Sequence, residues 1–179
     1  MIIMGNSDFY IQNEIEASLE QEDFNQIIML LDSLPSKNIR RALYLLSEIF
    51  PNKIEVSENE FKFIKYILSN NKFIEVQSIS DFIRSISILN FNNLQKQEII
   101  NLIFINLNTL SKNCNFELNL LITKLIDSNN FFMQIEKFKN NLDDSSRKYL
   151  LDFIIYEKEY LKNSFNEDEI NDFMRLLIS

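Results

Sequence analysis

The sequence predicts an all-α fold built from stacked antiparallel helix pairs. Its 179 residues include one glycine and two prolines, an extreme shortage of the residues that form tight hairpin turns. Apolar residues instead recur at three- and four-residue intervals along most of the chain, as they do on one face of an amphipathic helix. A chain of this length buries roughly 70% of its unfolded surface, so we expect one domain over residues 1–179.

The clearest helix pair lies between Ser57 and Asn90. Ser57 and Glu60 have the Ser-x-x-Glu spacing of a capping box, which marks the start of its first helix. Each helix then carries one apolar stripe: Phe61, Ile64 and Leu68 on the first, and Phe82, Ile83 and Ile86 on the second. Between them, Ile74 and Val76 alternate briefly, but without a glycine or a partner run they do not predict a strand.

The stripe of the first helix repeats along the chain at spacings of 35 to 39 residues. Its four copies are Phe24, Ile27 and Leu31; Phe61, Ile64 and Leu68; Ile100, Ile103 and Leu107; and Ile135, Phe138 and Leu142. Such spacings are typical of two-helix repeats, which bury their apolar faces against neighbouring copies. The chain therefore resembles a degenerate HEAT-type α-solenoid, and this resemblance implies a right-handed stack. The same stripes also permit an irregular helical bundle.

The repeats divide the chain into three parts. Residues 1–22 are expected to form an N-terminal capping helix, residues 23–162 about four helix pairs, and residues 163–179 a C-terminal capping helix. Outside the pair described above, the expected helices of the stack span residues 23–34, 39–50, 94–110, 116–127, 131–141 and 145–162.

The composition argues against most catalytic sites. The chain has no histidine, which is the commonest general base and a frequent metal ligand. Its single glycine, Gly5, precedes every periodic segment and cannot build a phosphate-binding loop. Cys114 stands alone, which excludes an internal disulfide and fits a reducing cytoplasm; we expect a small packed or surface thiol there. We therefore predict no enzyme activity, no cofactor and no metal.

Carboxylate chemistry is the alternative that the composition leaves open. Asp143 and Asp144 form one acidic cluster, and a second consists of Glu167, Asp168, Glu169 and Asp172. Either cluster has the residue types that hold a hard cation or act as an acid and base pair. Both clusters, however, lie where predicted helices begin, so helix capping and first-turn charge explain them more simply.

The charge balance predicts the kind of partner. The 26 acidic residues outnumber the 18 basic ones, which gives a net charge of −8 and a pI near 4.7. Such a chain repels nucleic acid and attracts basic proteins. No apolar run approaches the ~18 residues of a membrane span, and Met1 to Met4 lack the basic region of a secretory signal. We expect a cytoplasmic protein with no membrane or nucleic-acid partner.

Partner contacts are expected on the second helices, which usually line the binding surface of a two-helix solenoid. The candidate residues are tyrosines and acids on the flanks of those helices: Tyr44, Glu48, Asp81, Glu117, Tyr149, Asp152, Tyr156, Glu159 and Tyr160. Tyrosine is a rigid anchor, and carboxylates complement lysine and arginine. The alternative is that the tyrosines are half-buried at the helix margins while the acids are merely solvated.

Size, acidity and the missing catalytic residues together resemble immunity proteins of bacterial polymorphic-toxin and contact-dependent inhibition systems. The resemblance implies a monomer that forms a tight heterodimer with a basic toxin domain, in particular a nuclease, and occludes its active site. An adaptor or regulatory scaffold that binds another protein or peptide is the alternative with the same physical basis. A carboxylate- or metal-dependent enzyme is the alternative from another class.

Overall fold

The computed structural model of the chain describes residues 4–51, 53–126, 130–163 and 165–178. These residues form thirteen α-helices and no strand, so the predicted all-α fold is confirmed. Glu55 and Asn90 make an isolated parallel β-bridge. The helices fall into two compact units, Met1–Phe91 and Asn92–Ser179, which we call the first and the second unit. The predicted solenoid over the whole chain stays a prediction.

The first unit contains two helix pairs behind a terminal helix. Its helices are α1 (Met4–Glu20), α2 (Phe24–Ser33), α3 (Ser36–Ile49), α4 (Glu58–Leu68), α5 (Asn71–Ile74) and α6 (Ile79–Ile86). Helix α1 packs on α2 and α3, α2 packs on α4, and α3 packs on α5 and α6. Neighbouring pairs within this unit therefore contact each other first helix to first helix and second helix to second helix.

The described part of the second unit contains seven helices. Its helices are α7 (Asn93–Ile105), α8 (Leu107–Asn113), α9 (Asn115–Leu125), α10 (Asn130–Phe138), α11 (Asp144–Tyr156), α12 (Lys158–Leu161) and α13 (Glu167–Ile178). Helix α7 packs on α10, α8 packs on α11, and α13 packs on both α10 and α11. A 3-10 turn over Lys139–Asn141 extends α10.

The predicted helices differ from the observed ones mainly at their breaks. The single helices expected over residues 94–110 and 145–162 are wrong, because the chain leaves α-helical geometry at Asn106 and Glu157. The side-chain amide of Asn106 donates to the Leu102 carbonyl at 3.0 Å, and such local bonds compete with regular helix hydrogen bonding. The brief alternation of Ile74 and Val76 does not form a strand, as expected. Asn71–Ile74 is a short helix.

Polar caps fix several helix starts. The predicted capping box is confirmed: the Glu60 amide donates to Ser57 Oγ at 3.2 Å, and the Ser57 amide donates to Glu60 Oε2 at 2.7 Å. Asn92 and Gln95 form a second box of the same geometry before α7, which the sequence analysis did not identify. Asparagine serves as an N-cap as well as serine does, so the break at Asn90–Asn93 is a helix start.

The repeated apolar stripes lie inside the units as predicted, with one exception. The first three stripes are completely buried, and in the fourth Ile135 and Leu142 are buried while Phe138 is half-buried. Phe138 is the last residue of α10, and the 3-10 turn that follows it ends the α-helical spacing of the stripe. Its ring still stacks on Phe104 at a centroid distance of 6.1 Å.

Each unit closes around its own group of phenylalanine rings. In the first unit the group consists of Phe24, Phe50, Phe63 and Phe82, whose ring centroids are 5.5 to 6.2 Å apart in five contacting pairs. In the second unit it consists of Phe104, Phe131, Phe153, Phe165 and Phe173, with four pairs at 5.1 to 6.5 Å. Edge-to-face aromatic pairs at these distances stabilise a core beyond the area they bury.

Candidate interaction surfaces

The nine predicted partner-binding residues divide between the two units. Tyr44, Glu48 and Asp81 lie on α3 and α6 of the first unit. The other six lie on α9, α11 and α12 of the second unit: Glu117, Tyr149, Asp152, Tyr156, Glu159 and Tyr160. The two groups have different electrostatic surroundings and are treated as separate candidate surfaces.

In the second unit, two tyrosine hydrogen bonds hold α11 and α12 beside α9. The Tyr149 hydroxyl donates to Asn119 Oδ1 at 2.6 Å, and the Tyr160 hydroxyl donates to the Thr123 carbonyl at 3.0 Å. Asn119 and Thr123 are four residues apart and so share one side of α9. These bonds orient the tyrosine side chains and reduce the entropy they would lose on binding a partner.

Tyr149 does not have the exposure expected of a partner-binding residue. Its side chain is 8% exposed, and burial raises the pKa of its phenol well above the ordinary value. The cause is local: Tyr149 adjoins the buried Leu150 on α11 and reaches Asn119 on the neighbouring helix, which satisfies its hydroxyl inside the unit. The expectation that Tyr149 is exposed is therefore wrong, and we leave it out of the candidate surface.

The remaining residues lie on an exposed face that is richer in apolar side chains than the sequence suggested. Tyr156 is 81% exposed and Tyr160 44% exposed, and Asp152 and Glu159 are exposed beside them. Three further side chains are exposed on the same helices: Ile155, Phe116 and Leu120. We call Phe116, Leu120, Asp152, Ile155, Tyr156, Glu159 and Tyr160 the tyrosine face; Glu117 is half-buried within α9.

The sequence contained a signal for two of the three additional residues, Phe116 and Leu120. Phe116 and Leu120 are four apart on α9 but lie off its inner stripe, which consists of the buried Leu118, Leu121, Ile122 and Leu125. Phe116 is 66% exposed. Large apolar side chains spaced along a helix but outside its buried stripe form a second apolar strip, and an exposed strip of this kind marks an interaction surface.

Some of the carboxylates on and next to the tyrosine face are paired with lysines, so their charge is partly neutralised. Glu159 forms an ion pair with Lys162 at 2.7 Å, and Glu167 forms one with Lys158 at 3.0 Å, which lowers the pKa of the Glu167 carboxyl. The second unit as a whole contains 13 acidic and 10 basic residues. The face therefore combines aromatic anchors with a modest excess of carboxylates.

Most of the net negative charge of the chain lies elsewhere. Residues 1–36, which we call the acidic segment, contain seven acidic residues and no lysine or arginine, whereas the rest of the chain contains 19 acidic and 18 basic residues. The acids with described side chains are Glu14, Glu16, Glu20, Glu22, Asp23 and Asp32, on or next to α1 and α2. Lys53 pairs with Glu22 at 2.8 Å, and the Tyr66 hydroxyl donates to Asp32. The Gln12 side chain donates to Glu16 at 2.8 Å, and the Gln26 amide donates to Asp23 at 3.0 Å.

Tyr44 and Asp81 lie in a groove of the opposite charge. The groove has a volume of about 450 Å³ and lies between α3 and α6; it is lined by Lys37, Arg40, Arg41, Tyr44, Ser78 and Asp81. The Arg41 guanidinium lies 5.2 Å from the centroid of the Tyr44 ring. Glu48 is exposed one helical turn beyond Tyr44. With three cations and one carboxylate, this groove does not provide the acidic surface expected around Tyr44 and Asp81.

The two acidic clusters considered for catalysis lie at helix starts, as predicted. Asp143 Oδ1 accepts the Ser146 amide at 2.8 Å, and its other oxygen pairs with Lys112 at 2.7 Å. These contacts, the one to Lys112 foremost, lower the pKa of Asp143 to about 2. Asn166 and Glu169 exchange side-chain and backbone hydrogen bonds at 2.9 and 2.8 Å before α13. Capping therefore accounts for Asp143 and Glu169.

Cys114 is a packed thiol, one of the two environments predicted for it. Its side chain is buried at the junction of α8 and α9, and Sγ donates to the Leu110 carbonyl at 3.0 Å. Burial, with a smaller contribution from Glu117, raises the pKa of the thiol to about 12. At that pKa the nucleophilic thiolate is scarce near neutral pH.

Comparisons of the chain with protein-family models, with curated proteins and with solved structures returned no match. No described helix combines the length and apolar character needed to cross a membrane. Among residues 4–51, 53–126, 130–163 and 165–178, no three Cys, Asp or Glu side chains gather in a way that could hold a metal ion. Within the described residues, the candidate interaction surfaces are the tyrosine face and the groove lined by Lys37, Arg40 and Arg41, which we call the cationic groove.

Proposed function

We propose that this chain is a protein-binding module for a basic partner, and more specifically an immunity protein that neutralises a toxin nuclease domain. The observation that carries the proposal is the tyrosine face, where Tyr156 is 81% exposed on a packed helix between the acids Asp152 and Glu159. The immunity role itself follows from the resemblance in size, acidity and composition described above.

The apolar part of the tyrosine face would supply most of the binding energy. Tyr156, Tyr160 and Phe116 offer large side chains with few rotatable bonds, and such aromatic residues dominate the energetics of protein interfaces. Covering them with a partner removes apolar surface from water at about 25 cal/mol per Å². The helices beneath are already held by the Tyr160 bond to Thr123, so little conformational entropy is lost on binding.

The carboxylates would make the tyrosine face selective for a basic partner and would raise the association rate. Asp152 and Glu159 can pair with lysine or arginine at the contact itself, while the acidic segment adds to a field that attracts a basic protein over a longer range. A nuclease binds phosphates with a positively charged cleft. Carboxylates presented beside aromatic anchors would occupy that cleft and exclude its substrate.

The decisive experiment uses the product of the gene immediately upstream, produced as its C-terminal toxin domain. We expect co-expression of this chain to protect cells from that domain, and surface plasmon resonance to show tight binding whose association rate falls between 50 and 300 mM NaCl. Reversal of both Asp152 and Glu159 to lysine should slow association at low salt. Protection without binding, or binding unaffected by this reversal, would contradict the proposed surface.

The adaptor alternative has a distinct outcome. If the upstream product neither binds nor poisons cells, while this chain binds a non-toxic protein through the tyrosine face, the immunity role is wrong and the binding face is right. If no variant of the tyrosine face affects any binding, the face itself is wrong. These outcomes separate the identity of the partner from the location of the surface.

A further inference from the structure

We infer that the cationic groove between α3 and α6 binds a small phosphorylated molecule that also carries hydroxyl groups, such as a sugar phosphate or a nucleotide. The groove is a ligand site separate from the tyrosine face, and it lies entirely within the first unit. Its volume of about 450 Å³ falls within the ~300–1,000 Å³ that small-molecule sites usually have.

Three cations share one side of α3 at the groove. Lys37, Arg40 and Arg41 are spaced by three and four residues, so their side chains project from neighbouring turns of the same helix face. Among the described residues that line the groove, Asp81 is the one carboxylate beside three cations, a local excess of positive charge in a chain whose net charge is −8. Such an excess acts over about 8 Å at physiological salt, so it selects anions that enter the groove itself.

The backbone adds to this positive charge. Lys37 is in the first turn of α3, a helix of 14 residues whose N-cap residue, Pro35, makes no side-chain capping hydrogen bond. The positive end of the α3 dipole is therefore not offset by a side-chain cap at Pro35, and it adds to the charge of Lys37 in the first turn of the helix. Phosphate groups bind readily at helix N-termini for this reason, and here the side-chain cations and the groove are independent reasons to expect an anion.

The remaining lining residues suggest what accompanies the phosphate. The Arg41 guanidinium lies 5.2 Å from the centre of the Tyr44 ring, and this cation–π contact keeps its positive charge at the groove. Ser78 and Asp81 line the groove from α6 and can bond hydroxyl groups, Asp81 as an acceptor. Tyr44 is 37% exposed and gives the groove an apolar wall.

The test is an NMR titration of the full ¹⁵N-labelled chain in 150 mM NaCl with ribose 5-phosphate, AMP, inorganic pyrophosphate and unphosphorylated ribose. We expect the phosphorylated probes to shift amide signals of Lys37–Tyr44 and Ser78–Asp81, and ribose to shift none. Arg40→Gln should weaken the binding of ribose 5-phosphate at least tenfold, because it removes a charge-assisted hydrogen bond. Arg40→Lys should recover part of the loss.

The matched control is Arg175→Gln on α13, an exposed arginine of the second unit whose loss changes the net charge by the same amount. It should leave the affinity for ribose 5-phosphate unchanged. Equal weakening by Arg40→Gln and Arg175→Gln would show a general attraction for anions and overturn the site. The absence of groove shifts at 5 mM of every probe would overturn it as well. Neither result bears on toxin binding at the tyrosine face.

Discussion

The cationic groove and the tyrosine face each contain an exposed tyrosine but differ in the charges around it. The groove lies between α3 and α6, whereas the tyrosine face consists of side chains on α9, α11 and α12. The residue four positions before the tyrosine differs: Arg40 precedes Tyr44, whereas Asp152 precedes Tyr156. The charge one helical turn before the tyrosine is therefore opposite at the two surfaces, and this difference is the basis for proposing an anion at one and a basic protein at the other.

The largest effects should come from the framework that the two surfaces share. Ile64 in α4 and Ile103 in α7 occupy equivalent positions in the apolar repeat and are fully buried, one in each unit. We expect Ile64→Ala and Ile103→Ala each to lower the free energy of unfolding by about 3.5 to 5 kcal/mol, because both leave a cavity in a packed core. Urea denaturation followed by far-UV circular dichroism measures the loss.

Ile105→Ala is the control for these core substitutions. Ile105 is the last residue of α7, two positions after Ile103, and its side chain is exposed. The same chemical change should cost less than about 1 kcal/mol there. A loss below about 1 kcal/mol for Ile103→Ala would contradict its buried position, and unequal losses for Ile64 and Ile103 would show that the two units are packed differently.

A reciprocal pair of substitutions tests whether the two surfaces are independent. Tyr156→Ala should speed dissociation of the toxin partner about 30-fold, equivalent to about 2 kcal/mol at an aromatic hot spot, and leave ribose 5-phosphate binding unchanged. Arg40→Gln should weaken ribose 5-phosphate binding and leave the dissociation rate of the toxin partner unchanged. Surface plasmon resonance and NMR titration of both variants measure the four effects, with Tyr10→Ala as an exposed tyrosine outside both surfaces. An effect of either variant on the binding of both ligands would contradict the independence of the two surfaces.

Tyr149 tests the boundary between the tyrosine face and the core. Removal of its hydroxyl in Tyr149→Phe leaves the side-chain oxygen of Asn119 without that donor, and we expect a loss of about 1 kcal/mol in the free energy of unfolding. The toxin-binding constant should not change. If Tyr149→Phe weakened toxin binding without lowering the free energy of unfolding, Tyr149 would belong to the partner-binding surface after all.

The smallest effect concerns the ion pair of Asp143 and Lys112. Because the folded-state pKa of Asp143 is about 2, below its ordinary value of 3.8, the ionised carboxylate stabilises the fold above about pH 5. This contribution is lost as the pH falls from about 5 to about 2. Asparagine also caps helices, so Asp143→Asn should cost only ~0.2–1 kcal/mol at pH 7 for this partly exposed pair.

Urea denaturation at pH 7 and pH 3 measures this dependence, and the difference between Asp143→Asn and the wild type should shrink at the lower pH. Asp144→Asn, one residue away in the first turn of α11, removes the same formal charge and serves as the control. A difference that stays constant between the two pH values would show that the Lys112 contact contributes nothing.

The fold was largely predictable because it depends on periodicity. The buried stripe of Ile100, Ile103 and Leu107 follows directly from apolar spacing, and the Ser57 capping box from a four-residue pattern. The break at Asn106 was not predicted, because a side-chain bond to the preceding turn has no clear signature among so many asparagines. The division into two units depends on which helices pack together, and the apolar stripe of one helix does not show which other helices it contacts.

The candidate surfaces were only partly predictable. Tyr156, Tyr160, Asp152 and Glu159 are exposed as expected, since their spacing places them beside the buried stripe. Tyr149 has the same spacing but is covered by α9, a contact between segments 30 residues apart. The groove combines Lys37 and Arg40 with Ser78 and Asp81 from another helix, so its charge could not be judged from α3 alone. The acidic segment, in contrast, was visible in the sequence as a simple count.

The separate phenylalanine groups have a consequence for how the chain unfolds. Each group closes the core of one unit, so denaturation need not proceed as one cooperative step, and we expect it to show two transitions if the units differ in stability. The chain has no tryptophan and three tyrosines in each unit. A single tryptophan at Tyr66 or at Tyr160 would therefore give each unit a fluorescent reporter of its own, and a destabilised second unit could melt while the first remained folded.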